Sequence, residues 1–240
     1  MKEKVSVDLK GKLYGIGTGP GDPELLTIKA VRTLERCDVV AAPHSGSGEG
    51  TALAIVEEHI QGKELLTCHF SMDRDVEKRK AARLVAADQI IELLDDGKDV
   101  GFITLGDPTT YSTYMYVHDI VTAKGYSAEI VPGITSFGAS AASLGIALCE
   151  GDKTLTIIPA RHQETIDELL DHPGDKVIMK SGENLSYVLD KLKQRGLGSK
   201  TMISYRATME GERLYTSIEE YEQAPQTGYF TLAIVKEDEQ

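Results

Sequence analysis

Short apolar runs alternate with longer amphipathic stretches along most of this 240-residue chain, and few folds accommodate that alternation. Leu13–Gly17 (LYGIG) is an apolar run ending in glycine. Residues 25–37 then carry Leu26, Ala30, Val31 and Leu34 at helical spacing, and residues 38–42 (DVVAA) begin a second strand. The resulting βαβ unit is extended by a helix at 51–59, a strand near 64–67, a helix at 76–94, a strand at 100–105, a helix at 111–124 and a strand at 128–131. Strands alternating with helices predict a mostly parallel sheet, with ligand sites beyond the C-terminal ends of its strands.

The pattern changes at residues 131–145 (VPGITSFGASAASLG), which are rich in Gly, Ala and Ser. Thr135 or Ser136, just after Pro132-Gly133, is the expected N-cap of a helix whose small surface lets another backbone or a ligand come close. Beyond it we expect strands at 154–158, 176–179 and 201–205, helices at 165–170 and 185–194, and a last strand pair near 212–214 and 229–235. The spacing predicts an α/β protein of two domains, residues 1–127 with a mostly parallel sheet and residues 128–240 with a mixed one.

Charge narrows the function classes. The chain has 26 Lys+Arg against 38 Asp+Glu, a formal net charge of −12, which opposes loose binding to nucleic-acid phosphates or anionic lipid. A specific anionic ligand stays open, because a local group of Arg, Lys and backbone N–H can act inside an acidic protein. Cys37, Cys68 and Cys149 stand far apart without CxxC or zinc-finger spacing, so neither a disulfide framework nor a metal site is expected. Residues 1–12 are too polar for the apolar middle of a signal peptide, and no run is long enough for a membrane span; a cytoplasmic protein is expected.

Two glycine-containing loops carry the site signal. Gly15-Ile16-Gly17-Thr18-Gly19-Pro20-Gly21-Asp22-Pro23 follows the first strand but is not a dinucleotide fingerprint, because the third glycine position falls on Asp22 or Pro20. No Gly-Lys-Ser/Thr exists for a phosphate loop. The loop reads either as a tight connection in which Asp22 caps the helix, or as a ligand-facing wall stiffened by two prolines. Leu105-Gly106-Asp107-Pro108 repeats the Gly-Asp-Pro element after the strand at 100–105. There Gly106 would allow close backbone approach, Asp107 could accept from a ligand hydroxyl or amine, and Thr110 and Ser112 offer hydroxyls. Of Tyr111, Tyr114 and Tyr116, at least one is expected in the core. The six histidines are scattered, so no catalytic residue is singled out. Arg161 and Arg206 each follow a predicted strand end, and Arg74 lies in a charge run at 71–83 that reads mainly as a solvated face.

In order and spacing, Gly17-Thr18-Gly19-Pro20-Gly21-Asp22-Pro23-Glu24-Leu25-Leu26-Thr27, Gly106-Asp107-Pro108 and Val131-Pro132-Gly133-Ile134-Thr135-Ser136 resemble the tetrapyrrole methylase family, over nearly the whole chain from Lys12 to about Val235. Residues 105–116 (LGDPTTYSTYMY) look most like the members that methylate carbon 20 of precorrin-2 or cobalt-factor II. The resemblance implies a homodimer of two-domain α/β subunits that binds S-adenosylmethionine in the cleft between domains, with a tetrapyrrole as the small-molecule partner. Carried over by motif, Leu105, Gly106, Asp107, Thr110, Ser112, Thr135, Ser136, Lys180 and Ala207 would contact the cofactor. Pro20, Gly21, Asp22 and Pro23 would border the substrate, whose acid side chains make His44, Arg161, Arg206 and Arg74 candidate partners.

Transfer of a methyl from a sulfonium to an electron-rich ring carbon needs neither a nucleophilic side chain nor a metal, which suits a chain without a legible catalytic dyad. Two alternatives stand beside this reading: methylation at another tetrapyrrole position, as in uroporphyrinogen III, and a nucleotide- or S-adenosylmethionine-binding module without turnover.

Overall fold

The structure, a computed structural model, describes residues 10–44, 50–71, 75–225 and 228–237. The chain forms two compact units, Met1–Ile134 and Thr135–Gln240.

In the first unit β1 (Leu13–Gly17), β2 (Val39–His44), β3 (Glu64–His69), β4 (Val100–Thr104) and β5 (Ala128–Val131) make one parallel sheet in the order β3-β2-β4-β1-β5. The central strands β1 and β4 are buried throughout, which is why they read as continuous apolar runs. Helices α1 (Ile28–Arg36) and α2 (Thr51–Val56) cover one face through Ala30, Leu34, Ile55 and Val56. Helices α3 (Val76–Asp95) and α4 (Tyr114–Ala123) cover the other through Ala86, Ile90, Leu94, Tyr114 and Val117. Tyr114 is fully buried against β1, where a Cβ on Gly15 would lie 2.1 Å from its ring. It is the tyrosine of the 111–116 group that enters the core, while Tyr111 and Tyr116 are exposed.

Two helix starts differ from the sequence expectation. Asp22 does not cap α1: its carboxylate accepts from the Glu24 N–H at 2.8 Å and caps a short 3-10 turn, Pro23–Leu25. Extended backbone at Leu26 then breaks the helical run, and Thr27 caps α1 by accepting from the Ala30 N–H at 3.0 Å. The helix expected from residue 111 begins at Tyr114, because Tyr111 sits at φ 50°, in the left-handed region.

The two compact units divide after Ile134, beyond the 127/128 division taken from the spacing. β5, expected to open the second domain, pairs with β1 from Leu13↔Ala128 to Ile16↔Val131 and so completes the first sheet. Composition shifts only at the small-residue helix, and the strand before it has no signal that ties it forward or back.

In the second unit β6 (Leu155–Pro159), β7 (Asp175–Met179), β8 (Thr201–Tyr205), β9 (Arg213–Tyr215) and β10 (Thr231–Val235) form a mixed sheet in the order β6-β7-β10-β8-β9. β10 runs antiparallel to both β7 and β8, and β6 is parallel to β7. The C-terminal ends of β6, β7 and β8 therefore share one edge of the sheet. One face packs on α6 (Ile166–Leu170), α7 (Leu185–Gln194) and α8 (Ile218–Gln223). α5 (Ser136–Leu144) packs on the other, where Ala141 meets Val177, Leu232 and Ile234. The small residues of α5 serve backbone approach: buried Ser140 and Ser204 on β8 are hydrogen bonded at 2.8 Å. At the edge opposite the ends of β6, β7 and β8, Lys176 pairs with Glu237 and Asp175 with Lys236, a crossed ionic ladder with Lys176 and Asp175 fully buried.

No helix among the described residues is long and apolar enough to cross a membrane.

Candidate functional site

At the C-terminal edge of the first sheet, backbones from three strands converge. The loop after β1 and the loop after β4 join through an antiparallel bridge, with the Gly19 N–H donating to Gly106 O at 3.2 Å and the Gly106 N–H to Gly19 O at 2.7 Å. The two Gly-Asp-Pro loops, separate in sequence, are thus one structure. The segment after β5 enters the same junction. A Cβ on Gly133 would stand 2.2 Å from Gly106 O and 2.9 Å from Gly17 Cα, and one on Gly17 would stand 2.5 Å from Gly133 N. These distances admit no side chain at either position.

Asp107 fixes the arrangement. It is buried, with one carboxylate oxygen accepting the Gly133 N–H at 3.0 Å and the other accepting the Thr109 N–H at 2.8 Å and the Thr109 hydroxyl. Charge-assisted bonds of this kind are stronger than neutral ones. Sequence reasoning offered Asp107 as an acceptor for a ligand; the structure gives it a bracing role between the β4 and β5 loops. Gly17 and Gly133 are residues of this junction that sequence reasoning quoted but did not assign, and the Pro-Gly pair after an apolar strand is the signal at Gly133.

Several other predicted residues lie in the same loops. Leu105 is half-buried just after β4, and Gly106 holds φ 74° with open space beyond it, since an added Cβ would meet only Ile134 O at 3.9 Å. Among the described residues the half-buried Thr110 hydroxyl has no hydrogen-bond partner, whereas the Ser112 hydroxyl contacts Thr104 Oγ1 at 2.9 Å and accepts the Tyr114 N–H at 3.1 Å, helping to start α4. Pro20 is buried, Gly21 and Asp22 are half-buried and Pro23 is exposed at the rim of the first loop. His44, at the end of β2, faces its register partner His69 with ring centroids 4.6 Å apart. His69 was not anticipated, because a lone histidine at a strand end carries no pattern. Arg74 lies outside the described residues.

In the second unit Thr135 caps α5 by accepting from Gly138 N–H, and Ser136 is half-buried beside it. The other predicted residues follow strand ends on the shared edge. Arg161 stands two residues beyond β6 and is exposed, its carbonyl held by the Asn184 amide at 2.8 Å. Lys180 follows β7 directly, and Arg206 with buried Ala207 follows β8. Lys180, Arg206 and Thr208 hold φ values of 56°, 54° and 63°, a region that costs energy for any residue with a Cβ and that gathers at functional sites.

Burial raises the pKa of the Tyr114 hydroxyl, in the helix that follows the β4 loop. Burial pushes the thiols of Cys37 and Cys68 up to about 12. Hydrogen bonds from Lys12 and Lys29 pull Glu129, on β5, down to about 2. Among the described residues no three His, Cys, Asp or Glu side chains gather as metal ligands. The loops instead offer glycine-exposed backbone and hydroxyls, which suit a polar, nucleoside-bearing ligand.

Comparison with known proteins agrees with this geometry. Residues 12–222 match the family model of the tetrapyrrole (corrin/porphyrin) methylases. A probable cobalt-precorrin-2 C(20)-methyltransferase of Methanocaldococcus jannaschii is 36% identical over 94% of this chain and 96% of its own. The cobalt-precorrin-2 C(20)-methyltransferase of Salmonella typhimurium is 32% identical over 95% and 97% of the two chains, and a precorrin-2 C(20)-methyltransferase of a Sinorhizobium species is 30% identical over 94% and 95%. Among solved structures, a cobalt precorrin-4 methyltransferase aligns at TM-score 0.75 and 25% identity, covering 94% of each chain. Uroporphyrin-III C-methyltransferase of Thermus thermophilus, complexed with S-adenosyl homocysteine, aligns at 0.68 with 21% identity over 95% and 98%.

Proposed function

This chain belongs to the tetrapyrrole (corrin/porphyrin) methylase family, and from that membership we propose that it is the S-adenosylmethionine-dependent methyltransferase acting on carbon 20 of precorrin-2 or its cobalt complex in cobalamin biosynthesis. The observation that carries the proposal is the 30–36% identity, over at least 94% of both chains, with relatives named for that one position. These relatives are named for both cobalt-bearing and metal-free substrates, so the ring position is common to them and the metal is not.

S-Adenosylmethionine supplies the methyl already activated on a sulfonium, so the protein's task is to align it with carbon 20 and to exclude water. The Asp107 brace and the Gly17, Gly106 and Gly133 junction hold the loops after β1, β4 and β5 rigid. By family resemblance Leu105, Gly106, Thr110, Ser112, Thr135, Ser136, Lys180 and Ala207 are assigned to the cofactor, with Asp107 acting through the loop that it ties. Pro20 to Pro23 border the tetrapyrrole, and His44, Arg161 and Arg206 meet its acid groups. Charge-assisted bonds to those acids offset the repulsion expected between a −12 protein and a polyanion. Family resemblance also supports a cytoplasmic homodimer, which sedimentation would register as twice the 26.1 kDa chain mass.

The test is incubation with methyl-labelled S-adenosylmethionine and enzymatically made precorrin-2, with and without cobalt. One methyl added at carbon 20, located by NMR of the product, is expected. Transfer to uroporphyrinogen III in preference, or binding of the donor with no transfer, would overturn the assignment.

A further inference from the structure

We infer that Lys180 and Arg206, assigned separately above to cofactor and tetrapyrrole, instead act together on one carboxylate, as a clamp on the second unit's sheet backed by the aromatic pair Tyr229 and Phe230; the inference rests on the methyl-transfer reading. Topology brings the four together. β10 lies between β7 and β8, with Ala233 opposite Ile178 and Thr231 opposite Tyr205. Residues just before β10 therefore adjoin residues just after β7 and β8. The Arg206 N–H donates to Phe230 O at 3.2 Å and fixes this neighbourhood. The Lys180 ammonium lies 5.4 Å from the Tyr229 ring centroid and the Arg206 guanidinium carbon 5.9 Å from that of Phe230. The two rings meet edge to face at 5.2 Å.

An aromatic face attracts a cation without neutralising it, and leaves its N–H donors for an anion. That distinguishes these two cations from others in the unit. Lys176, Lys191, Lys193, Arg195 and Lys236 all pair with carboxylates. Neither Lys180 nor Arg206 forms an ion pair among the described residues. Arg206 spends Nε on the Glu210 backbone carbonyl at 2.9 Å, and the nearby Glu212 carboxylate takes the Thr208 N–H at 2.9 Å. Both cations also hold left-handed backbone at a strand end, a strained conformation that a simple turn would assign to glycine. Strained, ring-backed and unpaired cations on one sheet edge are preorganised for a carboxylate.

Two molecules in the proposed reaction carry carboxylates: the tetrapyrrole, on its ring substituents, and the methyl donor, at its amino-acid end. Titrating the full-length protein with uroporphyrin III and, separately, with S-adenosylhomocysteine distinguishes them. Lys180→Gln and Arg206→Gln should each weaken one probe about tenfold and leave the other unchanged. Tyr229 and Phe230 are positioning residues: Tyr229→Leu and Phe230→Leu should weaken the same probe about threefold, and Tyr229→Phe should retain the wild-type affinity. Lys180→Gly relieves the backbone, so it should raise Tm while lowering affinity, separating lost binding from lost folding. Unchanged affinity for both probes in all charge variants overturns the clamp alone. A wild-type protein that binds neither probe overturns the methyl-transfer reading and the clamp with it.

Discussion

Replacing Asp107 with alanine tests whether its carboxylate is a brace or a ligand contact. The substitution removes three hydrogen bonds, from the N–H groups of Thr109 and Gly133 and from the Thr109 hydroxyl. Thr109 is exposed and its freed donors can turn to water, so those losses cost about 0.5–1 kcal/mol in total. Gly133 is half-buried within van der Waals distance of Gly17 and Gly106, and its N–H loses a charged partner with little room for a replacement, which costs about 1.5–3 kcal/mol. The sum is about 2–4 kcal/mol, equivalent to a fall in Tm of about 5–12 °C for a unit of this size. Urea unfolding should show a lower midpoint at an unchanged m value, and S-adenosylhomocysteine affinity should fall only as far as the loop loosens. Asp107→Asn, which keeps one acceptor, should recover part of the stability. A midpoint within about 0.3 kcal/mol of wild type together with abolished ligand binding would refute the brace and return Asp107 to direct contact with the ligand.

The same junction predicts that Gly133→Ala destabilises by about 3 kcal/mol or more, because its Cβ meets backbone rather than a flexible side chain; an unaltered urea midpoint would count against the packing described. Glu129 provides a pH test. Its folded pKa of about 2 lies below the unaltered 4.5, so its contribution is complete above pH 4.5 and disappears as pH falls toward 2. The side chain is one-third exposed, and solvent screening limits the effect to under about 1 kcal/mol. Glu129→Gln should therefore lose less stability than wild type between pH 5 and pH 2, and parallel pH curves would contradict this. Finally, a thiol reagent at pH 8 should modify exposed Cys149 alone in the folded protein, and all three cysteines after unfolding; rapid reaction of two or three in native conditions would show that Cys37 and Cys68 are not sealed as described.

Much of the fold was legible because the strands carry their own signal. β1 and β4 are buried and apolar, β7 has the apolar run Val177 to Met179, and the ends of all three match the sequence expectation within a residue. What the chain hid was tertiary. Nothing local to Ala128–Val131 says that it completes the first sheet, since that depends on pairing with Leu13–Ile16, more than a hundred residues away. The Asp22 cap was misplaced because Asp-Pro-Glu starts a 3-10 turn as readily as a helix, and the decision lies in the extended Leu26. α8 was overlooked although Ser217 and Glu220 have capping-box spacing, because six residues are too few to show periodicity. At the site, the paired Gly-Asp-Pro loops could be read in advance, but the Gly19–Gly106 bridge that unites them could not. Tyr229 and Phe230 gave no signal, since their role comes from standing beside two strands that precede them in the chain.

The contact of Gly17, Gly106 and Gly133 has a consequence for redesign. Three loops that share one point of backbone contact cannot be lengthened, shortened or restyled one at a time, because the base of each is a wall of the other two. Room for variation is confined to the tips: Gly21 to Pro23 on the first loop, Thr109 to Tyr111 on the second and Ile134 on the third, all exposed or half-buried. Libraries meant to move methylation to another ring position belong on those residues, and sequences that cross into the shared base will be lost to misfolding before their specificity can be measured.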